Sequence, residues 1–184
     1  MLNLKIRKIK EFKKQITLKC FFISSKYSLS KGLQLTNTLS LIFSDLLEKQ
    51  VNPNSEPESQ RIGSQTEVRL KQNRQGHYVT TGFINGEEVV FLVDTGATDV
   101  AVPAHLANKL QLRAGREGLA STANGMVKIA DSRIDTLRIG QIVLHNVEAN
   151  LNPGMQDDHI LLGMSVLRQL EFTQRGDWLI LRTL

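Results

Sequence analysis

Residues 91–100 read Phe-Leu-Val-Asp-Thr-Gly-Ala-Thr-Asp-Val, and the triplet Asp94-Thr95-Gly96 within them occurs once in the chain. The three apolar residues before Asp94 favour a β-strand, and the Thr-Gly-Ala that follows favours a tight turn. A carboxylate at such a junction lies beside a low-dielectric core, which can shift its proton affinity. The triplet alone also fits an ordinary strand end, so the flanking sequence has to distinguish the two interpretations.

Two further motifs flank this strand. Upstream, residues 76–87 predict two strands joined by an Asn85-Gly86 turn. Downstream, about 65 residues after Asp94, the run Ile160-Leu161-Leu162-Gly163 precedes residues with the apolar spacing of a helix. An ordinary strand end requires neither neighbour. The three spaced motifs together therefore favour a role for Asp94 beyond that of an ordinary strand end.

From about Glu67 to Leu184 the sequence resembles the retropepsin-like aspartic proteases (clan AA), in their bacterial single-domain form. The resemblance implies an all-β fold, a small closed acid-protease β-barrel with one or two short helices and one lobe per chain. Short apolar segments with turn signals at regular intervals independently favour a barrel over a helical bundle. There is no internal repeat and no second Asp-Thr/Ser-Gly, which excludes a fused two-lobed arrangement.

The chemistry of this family requires two carboxylates that share one proton, one acting as base towards water and the other as acid. Because this chain supplies one Asp-Thr-Gly, the resemblance implies a homodimer that pairs two copies of Asp94. The predicted activity is that of an aspartic endopeptidase acting on polypeptide substrates, with no cofactor. If the second carboxylate came from within the chain, Asp99, Asp131 or Asp135 would be the candidates.

The resemblance also assigns roles to the residues around Asp94. Gly96 leaves room for close backbone approach, and Thr95 braces the loop. About 30 residues after Asp94, the pair Asn124-Gly125 predicts a type I′ hairpin where the family places its flap. A purely structural hairpin is the alternative. The full set is Asp94 as catalytic residue, Thr95 and Gly96 as support, Ala97, Thr98, Asp99, Asn124 and Gly125 as substrate-binding residues, and Leu162 and Gly163 beneath the active site.

The net charge of +5 is unevenly distributed. Residues 1–31 hold nine Lys or Arg and one Glu, which leaves the rest of the chain with a charge of −3. The basic character thus belongs to the N-terminal segment, and we expect no nucleic-acid binding by the domain. The single Cys and the four scattered His have no metal-ligand spacing, so no metal site is predicted.

Three regions follow from composition. Residues 1–49 form a basic N-terminal segment, residues 50–66 a polar flexible linker with two prolines, and residues 67–184 the protease-like domain. Members of the resembled group often carry an N-terminal membrane helix. The apolar residues at 33–47 are too interrupted for a spanning helix, so the segment is at most a degenerate anchor and membrane association stays open. The compartment is left undetermined.

Further elements are predicted within the domain. Residues 103–110 fit a helix that starts at Pro103, and strands at 133–139 and 142–150 are joined by Gly140-Gln141. The last strand, near residues 178–181, fits pairing either within the barrel or across a dimer. Two other functions remain open. One is a non-catalytic retropepsin-like module for peptide binding or dimerisation, although such a module has no need of an intact Asp-Thr-Gly. The other is a basic tether carried by the N-terminal segment.

Overall fold

The computed structural model describes residues 49–122 and 125–184. The chain divides into two units, Met1–Lys49 and Gln50–Leu184, and the description below concerns the second. Its elements within the described residues are β1 (Glu58–Ile62), β2 (Gln65–Lys71), β3 (Val79–Ile84), β4 (Glu87–Val93), β5 (Val100–Pro103), a 3-10 helix (Ala104–Leu106), β6 (Glu117–Thr122), β7 (Gly125–Ile139), β8 (Ile142–Asn152), β9 (His159–Leu162), helix α1 (Met164–Leu167), β10 (Leu170–Arg175) and β11 (Trp178–Thr183).

Six strands close into a barrel. The order β3-β4-β9-β5-β8-β7 returns to its start because β7 also pairs with β3, and β6 extends the sheet beyond β7. The predicted turn between β3 and β4 is confirmed, since Asn85 and Gly86 have φ values of 50° and 88°, as a type I′ turn requires. Fully buried apolar side chains such as Phe91 and Ile160 fill the interior. The predicted all-β fold, with one lobe in the chain, is confirmed.

A second sheet of four strands has the order β1-β2-β11-β10. Strand β11 pairs with β2 on one side and β10 on the other, so the last strand pairs within its own chain. Glu67 on β2 is fully buried and accepts hydrogen bonds from Arg182 (2.6 Å), Arg69 (2.7 Å) and Gln60 (2.8 Å). The two guanidinium groups, Arg182 above all, lower the pKa of Glu67 to about 2.

The prediction of a flexible linker is wrong for part of residues 50–66. Strand β1 pairs with β2 within this range, and Asn52 and Asn54 are buried. The Asn54 carboxamide donates to the Lys71 and Val79 carbonyl oxygens (2.9 and 2.6 Å) and accepts from the Lys71 N–H (2.6 Å). A polar composition does not reveal that such side chains satisfy main-chain groups at the ends of strands.

The predicted helix at residues 103–110 is also wrong. Strand β5 runs through Pro103, and only Ala104–Leu106 form a 3-10 helix before a series of turns. The φ of Pro103 (−55°) suits a helix start, but its ψ of 126° keeps it extended in β5. Gln111 then adopts a left-handed φ of 56°, which ends the helical turns.

Residues 1–48, which include nearly all of the predicted basic segment, lie outside the described residues. Among the residues that are described, no helix is long and apolar enough to cross a membrane.

Candidate active site

Asp94 follows directly after β4 and is partly buried. Strand β4 runs parallel to β9, with Val93 beside Leu162, and the Asp94 N–H donates to the Leu162 carbonyl oxygen (3.1 Å). These two parallel strands carry fully buried apolar side chains, such as Phe91 and Ile160, that point into the barrel interior. The Asp94 carboxylate therefore lies at the end of this strand pair, at the edge of the core, as the sequence predicted.

The residues after Asp94 form a tight loop that fixes the carboxylate. Asp94 Oδ1 accepts a hydrogen bond from the Gly96 N–H (2.9 Å), and the Ala97 N–H donates to the Asp94 carbonyl oxygen (3.2 Å). An aspartate that bonds the backbone two residues on is a typical turn former. Thr95 and Gly96, the predicted support residues, are exposed at the surface of this loop.

Gly163 lies directly beneath the loop, between β9 and α1. A Cβ added to Gly163 would lie 2.7 Å from the Ala97 carbonyl oxygen and closer still to that of Asp99. No side chain fits this space, because real Cβ atoms essentially never come within 3.0 Å of such atoms. The next residue, Met164, donates its N–H to the Ala97 carbonyl oxygen (2.8 Å). The predicted pair Leu162 and Gly163 therefore contacts the loop through backbone atoms.

Ser165 is a further contact that the sequence reasoning missed. Its N–H donates to the Thr98 carbonyl oxygen (2.8 Å), and its buried hydroxyl accepts from the Val100 N–H (3.1 Å) and donates to the Glu148 carbonyl oxygen (2.8 Å). The Ser165 backbone N–H thus contacts the loop, while its side chain joins β5 and β8. A serine at the start of a short helix carries no local signal for these distant partners.

A cleft of about 930 Å³ opens at this loop. Asp94 and the predicted substrate-binding residues Ala97, Thr98 and Asp99 line one side, and the β6–β7 hairpin lines another. Apolar and amide side chains of β5, β8 and β9 form the floor. These lining residues are Ala120, Thr122, Val127 and Ile129 on the hairpin, and Ala101, Asn150, Asn152 and Leu161 on the floor.

The hairpin over the cleft has the expected strands, but Gly125 lies in a strand. Gly125 begins β7 and pairs with Thr122 at the end of β6. Its φ is 104°, and an added Cβ would meet no atom within 4 Å, so the tip is open. The predicted tip residue Asn124 lies outside the described residues.

Asp99 is the second carboxyl group that lines the cleft. Burial raises its pKa, the nearby charges of Glu148 and Asp131 raise it further, and Arg168 partly opposes them. Asp131 and Asp135 line a separate cavity of about 900 Å³. Of residues 49–122 and 125–184, no group of three or more His, Cys, Asp or Glu could hold a metal ion.

Known proteins match this chain in sequence. The family model described as "gag-polyprotein putative aspartyl protease" matches residues 80–169. An uncharacterized Sinorhizobium sp. protein in the cobV 5′ region is 36% identical over 122 residues, covering 64% of this chain and 52% of that protein. An uncharacterized protein of Rickettsia prowazekii (strain Madrid E) is 33% identical over 121 residues, covering 62% of this chain and 51% of that protein. The chain thus spans about half the length of these curated relatives.

The fold also matches a solved structure. The crystal structure of a retropepsin-like aspartic protease from Rickettsia conorii aligns with a TM-score of 0.54 and 29% sequence identity. The alignment covers 70% of this chain and 94% of that one. Sequence, fold and the position of the Asp-Thr-Gly loop agree, and in all three the chain resembles the retropepsin-like aspartic proteases.

Proposed function

We propose that this chain is an aspartic endopeptidase that hydrolyses peptide bonds as a homodimer. The observation that carries the proposal is Asp94 itself, a partly buried carboxylate held by the Gly96 N–H at one side of a cleft of about 930 Å³. A cleft of this size is typical of sites that enclose a ligand. An extended peptide laid between the Asp94 loop and the β6–β7 hairpin would bring its carbonyl carbon to the carboxylate.

The reaction needs a second carboxylate, which we assign to the partner subunit's Asp94. Within one chain, Asp131 and Asp135 line a different cavity, and Asp99 is the only other carboxyl group among the described cleft residues. Two carboxylates a few ångström apart bind one shared proton. The ionised one takes a proton from water, and the protonated one donates to the substrate carbonyl oxygen as water adds to its carbon.

The neighbouring residues have supporting roles in this proposal. Thr95, exposed beside Asp94, braces the loop against the partner subunit. Ala97, Thr98 and Asp99 meet the peptide main chain, while Asn124 and Gly125 close over it from the hairpin. Leu162 and Gly163 hold the loop from below through the contacts already described. Strand-like hydrogen bonds would bind the peptide, as they do at other sites that accept extended segments.

The test is cleavage of a denatured protein by the purified full chain, compared with Asp94→Asn. We expect cleavage by the wild type, none by the variant, and no effect of chelators or of reagents for thiols or serines. Equal cleavage by both proteins would refute the assignment of Asp94. Peptide binding without turnover by the wild type would favour the non-catalytic module, and loss of activity in EDTA would indicate a metal-dependent reaction.

A further inference from the structure

The floor of the cleft contains the carboxamide of a largely buried residue, Asn150, which has no hydrogen-bond partner among the described residues. Asn150 is 9% exposed and lies on β8 between Ala149 and Leu151, which both face the core. Since neighbouring strand residues point to opposite faces, the Asn150 side chain faces the cleft that it lines. None of the described residues forms a hydrogen bond with its carboxamide.

Asn150 is an exception in this domain. Of the eight buried polar residues in the described chain, it alone has no side-chain hydrogen bond. Asn152, two residues further along β8, accepts a hydrogen bond from the Gly154 N–H (2.8 Å). The Asn54 carboxamide makes three such bonds to main-chain groups. Among the described residues, the fully buried side-chain atoms without a hydrogen-bond partner are Tyr78 Oη and His159 Nδ1, so the Asn150 amide keeps some access to the cleft. Polar side chains of buried residues are nearly always paired, and an unpaired one that faces a cleft is available to a ligand.

The surroundings indicate which ligand group fits. Asn150 lies beside Ala101 on β5 and Asp131 on β7, and the cleft there is also lined by Leu161 and Val127. An apolar side chain placed here would cover the carboxamide and leave it unsatisfied. An acidic one would meet the negative charges of Asp99 and Asp131. A second carboxamide offers both a donor and an acceptor, as Asn150 does.

We propose that Asn150 is a specificity-determining residue that selects peptides with an Asn or Gln side chain at the position facing the β8 floor. This inference rests on the proposed endopeptidase function and names part of its substrate class. Asn150 does not act on the scissile bond. It recognises a side chain of the bound peptide through paired amide hydrogen bonds.

The test compares the cleavage profiles of the wild type and Asn150→Leu on a peptide library, followed by kcat/KM for matched peptides with Gln or Leu at the selected position. Leu has nearly the shape of Asn without its polar atoms. We expect the wild type to prefer Gln by about tenfold, and Asn150→Leu to lose or reverse that preference while other positions stay unchanged. Asn108→Leu makes the same change at an exposed position outside the cleft and should keep the wild-type profile.

A stability measurement supplies an independent readout. Asn150→Leu should keep or raise the Tm, because it removes an unpaired amide, whereas Asn54→Leu should lower it by breaking three hydrogen bonds. An equal fall for both variants would overturn the inference by showing a structural partner for Asn150. An active enzyme with an unchanged profile, or with a preference for Lys or Arg that survives Asn150→Leu, would also overturn it. No cleavage by the wild type would refute the proposed function itself, and this inference with it.

Discussion

Replacing Gly163 by alanine should disturb the Asp94 loop more than the fold. The new methyl carbon would start 2.7 Å from the Ala97 carbonyl oxygen and closer to that of Asp99, whereas ordinary contacts begin at 3.4 Å. The loop and β9 must therefore separate by about 0.7 Å or more. Overpacking of this kind costs about 1–3 kcal/mol of stability. A displacement approaching 1 Å at a catalytic group lowers the rate by about a hundredfold.

Gly82→Ala provides the matched control. Its added carbon would lie 2.5 Å from the Arg138 carbonyl oxygen and 2.7 Å from the Phe91 ring, a comparable overlap within the barrel wall. We expect urea unfolding to show similar losses of stability for both variants. Peptide cleavage, measured where both are fully folded, should fall about a hundredfold only for Gly163→Ala. Equal kcat/KM for the two variants would contradict the view that Gly163 matters through the loop above it.

Three further outcomes are expected. Gly125→Val forces a β-branched residue into a φ of 104° and should lower kcat/KM more than it lowers the free energy of unfolding. The control is Gly86→Val, which has a φ of 88° in a hairpin away from the cleft and should keep the wild-type kcat/KM. Equal losses of kcat/KM in the two variants would show that the β6–β7 hairpin has only a structural role. Because the pKa of Glu67 is lowered from 4.5 to about 2, the ionised carboxylate stabilises the folded state fully above about pH 5, and this stabilisation is lost as the pH falls towards 2. The free energy of unfolding measured in urea should therefore fall by up to about 3 kcal/mol between these pH values. Glu67→Gln should abolish this part of the pH dependence. Mixing equal amounts of wild type and Asp94→Asn, with subunit exchange, should leave about a quarter of the dimers with two native carboxylates. Peptide cleavage per wild-type chain should then fall to about half. An unchanged rate would mean that the second carboxylate comes from within one chain.

Local sequence determined the strand that carries the catalytic candidate. The apolar run before Asp94 and the Thr-Gly after it specify a strand end and a turn, because these preferences depend on neighbouring residues alone. The same holds for the Asn85-Gly86 hairpin, whose φ values match the expected turn. The Leu-Leu-Gly run also predicted a strand followed by a helix, which the structure contains as β9 and α1.

Local patterns misled where distant partners took over. Residues 50–66 look like a linker by composition, yet Asn54 is buried because its carboxamide satisfies the ends of β2 and β3. Pro103 suits a helix start, yet it stays extended because β5 pairs with β8 through that residue. Each of these partners lies 17 or more residues away along the chain, beyond the reach of propensity or periodicity.

The residues that surround each candidate site residue come together only in the closed barrel. The contact of Gly163 with the Asp99 carbonyl oxygen and the bonds of Ser165 to Val100 and Glu148 exist only because β5, β8 and β9 are neighbours. The same arrangement leaves the Asn150 carboxamide facing the cleft without a hydrogen-bond partner among the described residues. A residue's own sequence neighbourhood sets its backbone preference. Whether its polar atoms find partners depends on which strands meet when the sheet closes on itself.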